Sequence, residues 1–203
     1  MKAVVIIASW GSGSTAVSGY LDKCGLYSCP PHLHTIDKLT PNSYESIEYG
    51  SELAKLFDKY TFKEIGKSED FVKFFDTWWI DECAKANSLA CNSIVLKHPL
   101  QTFVLPYLKE KLNPSFIFVT RPFDEITRTQ VRRNWHPIMG ADGAKHIYSV
   151  ANNFFTLSSS SFISIPFNVF KNDRELRNKM LDFIEISPSE KQIYDAESFL
   201  RRD

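Results

Sequence analysis

A short stretch of glycine and hydroxyl residues near the start of the chain has the composition of a phosphate-binding loop. An apolar run at residues 3–8 leads into it, and a helical pattern begins near Ser14. Glycines in this loop let the backbone curl, so that its N–H groups and the positive end of the following helix converge on one anion. The expected ligand is a phosphate group, and the candidate binding residues are Gly11, Ser12, Gly13, Ser14 and Thr15.

The loop lacks the lysine that marks an ATP- or GTP-binding loop. Ser14 stands where that lysine would be, and no later strand ends in an aspartate that would help to hold Mg²⁺. An ordinary nucleoside triphosphatase is therefore disfavoured. Two alternatives stay open: a P-loop kinase with a degenerate loop, and a non-catalytic nucleotide-binding module of the same fold.

Other charged residues follow later strands at the point where each strand ends. Lys97 and His98 close the apolar run 93–97, and Arg121 closes the run 115–120. In an open parallel sheet, ligands bind beyond the carboxyl ends of the strands. We therefore expect the loop, the Lys-His pair and the arginine to converge on one highly anionic ligand.

The elements that position these residues alternate between strands and helices. This pattern predicts an α/β fold: a three-layer, doubly wound, mainly parallel sheet of the P-loop type, with helices on both faces. We expect a single domain over residues 1–203. The predicted strands are 3–8, 93–97, 115–120 and 162–165, and the predicted helices are 14–25, 46–59, 68–87, 101–111, 123–133, 144–157, 171–184 and 187–201.

Composition argues against several classes of partner. Lys+Arg and Asp+Glu are equal at 24 each, so no global charge favours nucleic acid. The four cysteines show no CxxC spacing, which predicts reduced thiols and no metal site. The N-terminal apolar run is too short for a membrane span or a secretory signal, so we expect a soluble, cytoplasmic protein. Nothing in the sequence sets the oligomeric state.

Two motifs resemble those of the sulfotransferases that use PAPS (3′-phosphoadenosine-5′-phosphosulfate). The run from Ser12 to Thr15 resembles the family's S-G-T-[ST] loop for the 5′-phosphosulfate. The run from Val119 to Arg133 resembles its 3′-phosphate motif, in which an arginine ends a strand and a hydroxyl residue follows eight positions later; Arg121 and Thr129 match these positions. Between the motifs, the run from Val95 to Leu100 resembles the family's K-x-P or K-x-H strand end.

The resemblance implies a transfer of the sulfuryl group from PAPS, with PAP as product and no metal. The loop would hold the 5′-phosphate, and Arg121 and Thr129 the 3′-phosphate. Lys97 and His98 are the catalytic candidates, His98 as general base because imidazole titrates near neutrality. One position departs from the family pattern, because Gly11 stands where the family commonly has lysine or arginine. Either Lys97 or another cation substitutes, or the protein binds the nucleotide and transfers the sulfuryl group poorly.

The implied acceptor is a hydroxyl or amine on a small molecule, a glycan or a peptide. The irregular stretch 26–45 carries His32 and His34, which are interpreted either as exposed loop residues or as residues facing the acceptor. In the helix 68–87, aromatic residues recur every three or four positions, which is typical of a core-facing stripe. The alternative is that Trp78 and Trp79 form one wall of an acceptor pocket.

Overall fold

In the computed structural model, which describes residues 1–35, 37 and 40–201, a parallel sheet lies at the centre of the protein. The strands are β1 (Lys2–Ile7), β2 (His32–His34), β3 (Asn42–Ser46), β4 (Ser93–Lys97), β5 (Ser115–Thr120) and β6 (Phe162–Pro166). In the central sheet they pair in the order β4-β1-β5-β6, and every pair is parallel. The predicted strands and the mainly parallel sheet are confirmed.

Helices cover both faces of this sheet, as predicted. They are α1 (Ser14–Lys23), α2 (Ile47–Leu56), α3 (Ser68–Ser88), α4 (Leu105–Leu112), α5 (Phe123–Arg132), α6 (Ala141–Ser158), α7 (Phe167–Asn172), α8 (Arg174–Phe183) and α9 (Glu190–Leu200). Short 3-10 turns precede α4 at Pro99–Val104 and α6 at Pro137–Met139. The helix α1 ends just before Gly25, whose positive φ of 96° suits a residue without a side chain.

Alternate residues of each strand enter two separate cores. Val4 and Ile6 of β1 pack with residues of α1, α7, α8 and α9, whereas Val5 and Ile7 pack with residues of α2, α3, α4 and α6. All four side chains are buried. Because both faces are covered, the strands are apolar throughout, and the result is the three-layer arrangement expected from the sequence.

Three predicted segments differ from the structure. The stretch 26–45, predicted as an irregular loop, contains the antiparallel pair β2–β3; residues 36, 38 and 39 of that stretch lie outside the described residues. The segment 101–111 begins as a 3-10 turn rather than an α-helix. The predicted helix 171–184 is two helices, because Asp173 ends α7 and its carboxylate accepts hydrogen bonds from the N–H groups of Glu175 and Leu176 at the start of α8.

The strand order places a crevice between β1 and β5. The chain leaves β1 toward β4 on one side, and it leaves β5 toward β6 on the other. Strand connections that diverge in this way open a gap at the carboxyl edge of a parallel sheet. The loop after β1 and the first residue after β5 face each other across this gap.

Candidate functional site

A cavity of about 2340 Å³ opens at the carboxyl edge of the sheet. It brings together eight of the nine residues that the sequence predicts to bind the nucleotide or to act in catalysis. Those that line it are Gly11, Gly13, Ser14, Thr15, Lys97, His98, Arg121 and Thr129. The exception is Ser12, which is buried beneath the loop and donates its hydroxyl to the carbonyl of Ser9 at 2.7 Å. The buried side chain of Ser12 therefore stabilises the loop through this hydrogen bond.

The phosphate loop ends in an uncapped helix N-terminus. Gly13, at φ 91° and ψ 6°, is the N-cap residue of α1; it provides no side-chain cap, and the first turn contains no acidic residue. The first N–H groups of a helix have no partner within the helix, so those of Ser14 and Thr15 need an external acceptor. Together with the helix dipole, these free N–H groups are typical of an anion-binding site.

Arg121 is bound directly to the phosphate loop. Its Nη1 donates to the carbonyl of Gly11 at 3.1 Å and to the hydroxyl of Thr129 at 3.2 Å. The guanidinium carbon lies 5.1 Å from the centre of the Phe167 ring. Nη2 donates to no other residue in the part of the chain that the structure describes, so two donors of Arg121 stay open for a ligand.

Glu125, one turn along α5, fixes the orientation of Arg121. Its Oε2 accepts a hydrogen bond from Nε of Arg121 at 2.8 Å, while its Oε1 accepts one from the amide of Asn168 at 2.7 Å. These hydrogen bonds, first of all the one from Arg121, hold the pKa of Glu125 below its ordinary value. Sequence reasoning missed this residue, although its i,i+4 spacing from Arg121 is a readable signal.

Lys97 is a buried cation between the phosphate loop and β3. Its Nζ donates to Oε1 of Glu45 at 2.6 Å, to the carbonyl of Ser43 at 3.0 Å and to the hydroxyl of Thr15 at 3.3 Å. An ammonium group has three donors, so all of them are in use. Lys97 therefore places its positive charge beside the loop, where Gly11 supplies none.

Glu45 is the principal site residue that the sequence did not reveal. It lines the cavity, and its Oε2 accepts no hydrogen bond from the residues the structure describes. Burial by itself would raise the pKa of the Glu45 carboxyl, but the charge of Lys97, followed by those of His98 and Arg133, holds it below the ordinary value. The lowered pKa of Glu45 favours its ionised form, and one of its oxygens has no hydrogen-bond partner among the described residues.

The hydrogen bond to His98 determines which nitrogen of its ring carries the proton. Nδ1 accepts from the N–H of Leu100 at 3.2 Å, so neutral His98 carries its hydrogen on Nε2. Burial is the main cause that lowers the pKa of His98. The ring packs against Gly50 of α2, where an added Cβ would lie 3.1 Å from Cδ2 of His98. His98 lines the cavity, and in this tautomer its Nε2 is a hydrogen-bond donor; the prediction that it acts as general base stays a prediction.

The two segments considered for acceptor contact behave differently. His34 lines the cavity, whereas His32 is held by Asn42 through Nδ1 and by the carbonyl of Ser28 through Nε2. None of the residues of α3 lines the cavity. Trp78 is buried and stacks on Tyr49 at 5.2 Å, and Trp79 packs against the same core, so the aromatic stripe belongs to the core.

The described residues also bear on the expectations for membrane spans, metal sites and cysteines. No helix among them is long and apolar enough to cross a membrane. They contain no group of three or more His, Cys, Asp or Glu side chains placed to hold a metal ion. The four cysteines are free thiols.

Comparisons with known proteins identify a structural relative but no sequence relative. No family model matches the chain, and no curated protein matches it. Its structure is similar to the sulfotransferase domain of the olefin synthase from Synechococcus PCC 7002, with a TM-score of 0.57 and 19% sequence identity, over 94% of this chain and 75% of that one. At this identity the likeness establishes the fold: a mainly parallel α/β sheet with flanking helices, consistent with the sulfotransferase-like P-loop fold.

Proposed function

We propose that this protein is a sulfotransferase that moves the sulfuryl group of PAPS to a hydroxyl or amine of an acceptor. The observation that carries the proposal is the junction of Arg121 with the phosphate loop and Thr129. Two anion-binding groups, the start of α1 and the open donors of Arg121, stand side by side. This arrangement suits a nucleotide with phosphates at two separate positions better than a linear triphosphate.

Different residues of the chain bind the nucleotide, stabilise the leaving group and act on the acceptor. The N–H groups at the start of α1 bind the 5′-phosphate, and Arg121 and Thr129 bind the 3′-phosphate. The acceptor atom attacks sulfur, the bond from sulfur to the bridging oxygen breaks, and PAP leaves with the bonding electron pair. Lys97, through Thr15, places a positive charge where the leaving oxygen gains negative charge. Glu45 takes the proton of the acceptor, and Nε2–H of His98 orients the accepting group.

Two other functions make different predictions for ligand binding. A kinase with a degenerate loop would be stabilised by ATP with Mg²⁺ and not by PAP. A non-catalytic binding module would be stabilised by PAP and would transfer no sulfate to a broad acceptor panel. The loop favours the sulfotransferase over the kinase for two reasons. Ser14 occupies the position of the kinase lysine, and the lysine that contacts the loop, Lys97, lies on a neighbouring strand and donates to Thr15.

Thermal unfolding with PAP tests the nucleotide site. PAP should raise the melting temperature of the wild type, because a ligand that binds only the folded state stabilises it. Arg121→Ala should lose most of this shift, whereas Arg174→Ala, which removes an exposed arginine outside the cavity, should keep it. The absence of any shift at millimolar PAP would refute the proposal.

Transfer from ³⁵S-labelled PAPS to an acceptor panel tests the choice of base. Glu45→Gln preserves the size of the side chain and removes the proton acceptor, so kcat should fall by about 10²-fold or more. His98→Asn should affect KM more than kcat, since its amide can still orient the acceptor. The reverse pattern, with kcat lost in His98→Asn and kept in Glu45→Gln, would return the role of base to His98.

A further inference from the structure

The part of the cavity beside the C-terminal end of α5 carries more positive than negative charge. Lys59 and Tyr60 contribute from the turn after α2, and Arg133, Trp135 and His136 contribute from the segment after α5; all five line the cavity. We call this group the basic lobe. The rings of Tyr60 and His136 lie 4.6 Å apart, which shows that the two segments meet.

The carboxylates near the basic lobe do not balance its cations. Arg132 and Arg133 both pair with one oxygen of Asp37, at 2.9 and 2.7 Å, so a single negative charge faces two guanidinium groups. Lys59 lies over the ring of Tyr60 at 5.0 Å, and within the described residues no carboxylate oxygen lies within ion-pair distance of its ammonium. Asp58, next to Lys59 in the chain, adds one more negative charge, and its Oδ1 accepts hydrogen bonds from the N–H groups of Tyr60 and Thr61. Among the described residues, Lys59, Arg132 and Arg133 thus face Asp37 and Asp58, while Glu45 is already paired with Lys97.

Arg133 itself is incompletely satisfied. Its Nη2 bonds to Asp37 and Thr40, and its guanidinium carbon lies 4.6 Å from the centre of the Trp135 ring, but its Nε is buried and has no partner among the described residues. An unpaired buried donor on a cation is costly, because it has lost its hydrogen bonds to water. Arg133 is also close enough to Glu45 to lower the pKa of that carboxyl, so the unsatisfied cation lies near the proposed base.

The cavity has room for a second ligand beside a nucleotide. Its volume of about 2340 Å³ is more than twice the upper end of the ~300–1,000 Å³ range of ordinary small-molecule pockets. The cations that serve the nucleotide, Arg121 and Lys97, belong to other walls of the cavity. The charge of the basic lobe is therefore left for the acceptor.

From these observations we infer that the acceptor is an organic anion: a hydroxyl compound that carries an acidic group, which binds between Lys59 and Arg133. This inference rests on the proposed sulfotransferase function. The acidic group binds to the basic lobe and fixes the position of the acceptor. Glu45 then takes the proton of the acceptor hydroxyl, and His98 orients this hydroxyl. Charge-assisted bonds to a planar guanidinium favour a carboxylate in particular.

Matched pairs of acceptors test the inference; the members differ by one negative charge in the sugar and phenol pairs and by two in the peptide pair. Each pair is titrated by calorimetry into the full chain saturated with PAP. The pairs are 4-nitrophenyl β-D-glucuronide with the glucoside, 4-hydroxyphenylacetate with its amide, and the blocked peptide Asp-Tyr-Glu with Asn-Tyr-Gln. At least one acidic member should bind about tenfold or more tightly than its neutral partner. The pair that responds identifies whether the acidic group belongs to a sugar, a small phenol or a peptide.

Variants of the basic lobe give the second half of the test. Lys59→Gln and Arg133→Gln should each remove most of the preference for the acidic member, and Arg133→Lys should keep part of it. Lys63→Gln is the matched control, because Lys63 is exposed in the same turn and lies outside the cavity. Lys59 is exposed, so its substitution tests the idea even where Arg133→Gln fails to fold.

The anionic acceptor and the proposed function can be refuted separately. If PAP fails to stabilise the protein, the proposed function fails. If PAP binds but no acidic member binds better than its partner, including the case in which no member of any pair binds, the anionic acceptor is refuted alone. Retention of the preference in Lys59→Gln and Arg133→Gln would also refute it.

Discussion

Replacement of Gly13 by alanine tests whether the phosphate loop depends on a close contact with Phe167. Gly13 adopts φ 91°, in the left-handed region. A Cβ built on it would lie 2.2 Å from Cγ and Cδ2 of Phe167, the first residue of α7. The substitution therefore introduces two separate penalties, one from the backbone and one from the ring.

The two penalties have comparable sizes. An alanine held in the left-handed region costs about 1–2 kcal/mol. Displacement of the Phe167 ring from its packed position costs about 1–3 kcal/mol, as other overpacked contacts do. Gly13→Ala should therefore lower the free energy of unfolding by about 2–5 kcal/mol, a large share of the ~5–15 kcal/mol that stabilises a typical domain.

A double-mutant cycle separates the two penalties. The free energy of unfolding is measured in urea for the wild type, Gly13→Ala, Phe167→Ala and the double variant. Removal of the ring relieves the clash, so the double variant should be more stable by about 1–3 kcal/mol than the sum of the single effects predicts. The difference in stability between Phe167→Ala and the double variant is the backbone penalty.

Additivity would contradict this reasoning. If the effects of Gly13→Ala and Phe167→Ala sum to within about 0.5 kcal/mol, the ring does not restrict the loop. Loss of the PAP-dependent thermal shift in Gly13→Ala, and its partial return in the double variant, would connect the same contact to ligand binding.

Two further predictions concern the titratable side chain of His98 and the buried ion pair of Arg177. Burial lowers the pKa of His98, so its contribution to stability is fully present above a pH of about 6.5 and is lost as the pH falls through the lowered pKa. His98→Asn should flatten this part of the curve of urea stability against pH, and an unchanged slope would contradict the assignment. Arg177, 5% exposed, pairs with Glu197 at 2.8 Å; Arg177→Met should cost about 3–5 kcal/mol by urea unfolding, and a loss below about 0.5 kcal/mol would show that this pair does not hold α8 to α9.

The parts of the fold that the sequence predicts are those with a local cause. The strands β1, β4 and β5 are buried on both faces, so each appears as a continuous apolar run ended by a polar residue. Thr129 lies on α5 and Arg121 lies two residues before that helix begins, so the meeting of these residues, eight positions apart, also follows from local geometry. The division of α7 from α8 had a readable signal too, since aspartate at position 173 is a favoured N-cap.

The parts that the sequence does not predict arise from tertiary contacts. Glu45 gains its role from Lys97, which lies 52 residues later, and no spacing rule relates the two. The strands β2 and β3 are short and irregular, so neither shows an alternating pattern. The tautomer of His98 depends on one backbone N–H, and the core position of Trp78 depends on Tyr49 from another helix.

From the parallel order β4-β1-β5 we expect the candidate site to form late in folding. Arg121 meets Gly11 across 110 residues of chain, and Lys97 meets Thr15 across 82. Contacts of such sequence separation form slowly, because long loops must close before they gain any stabilisation. A growing chain that has passed β4 but not β5 would hold the phosphate loop without its arginine. A nucleotide bound to both would therefore protect the whole sheet against global unfolding, rather than one loop against local opening.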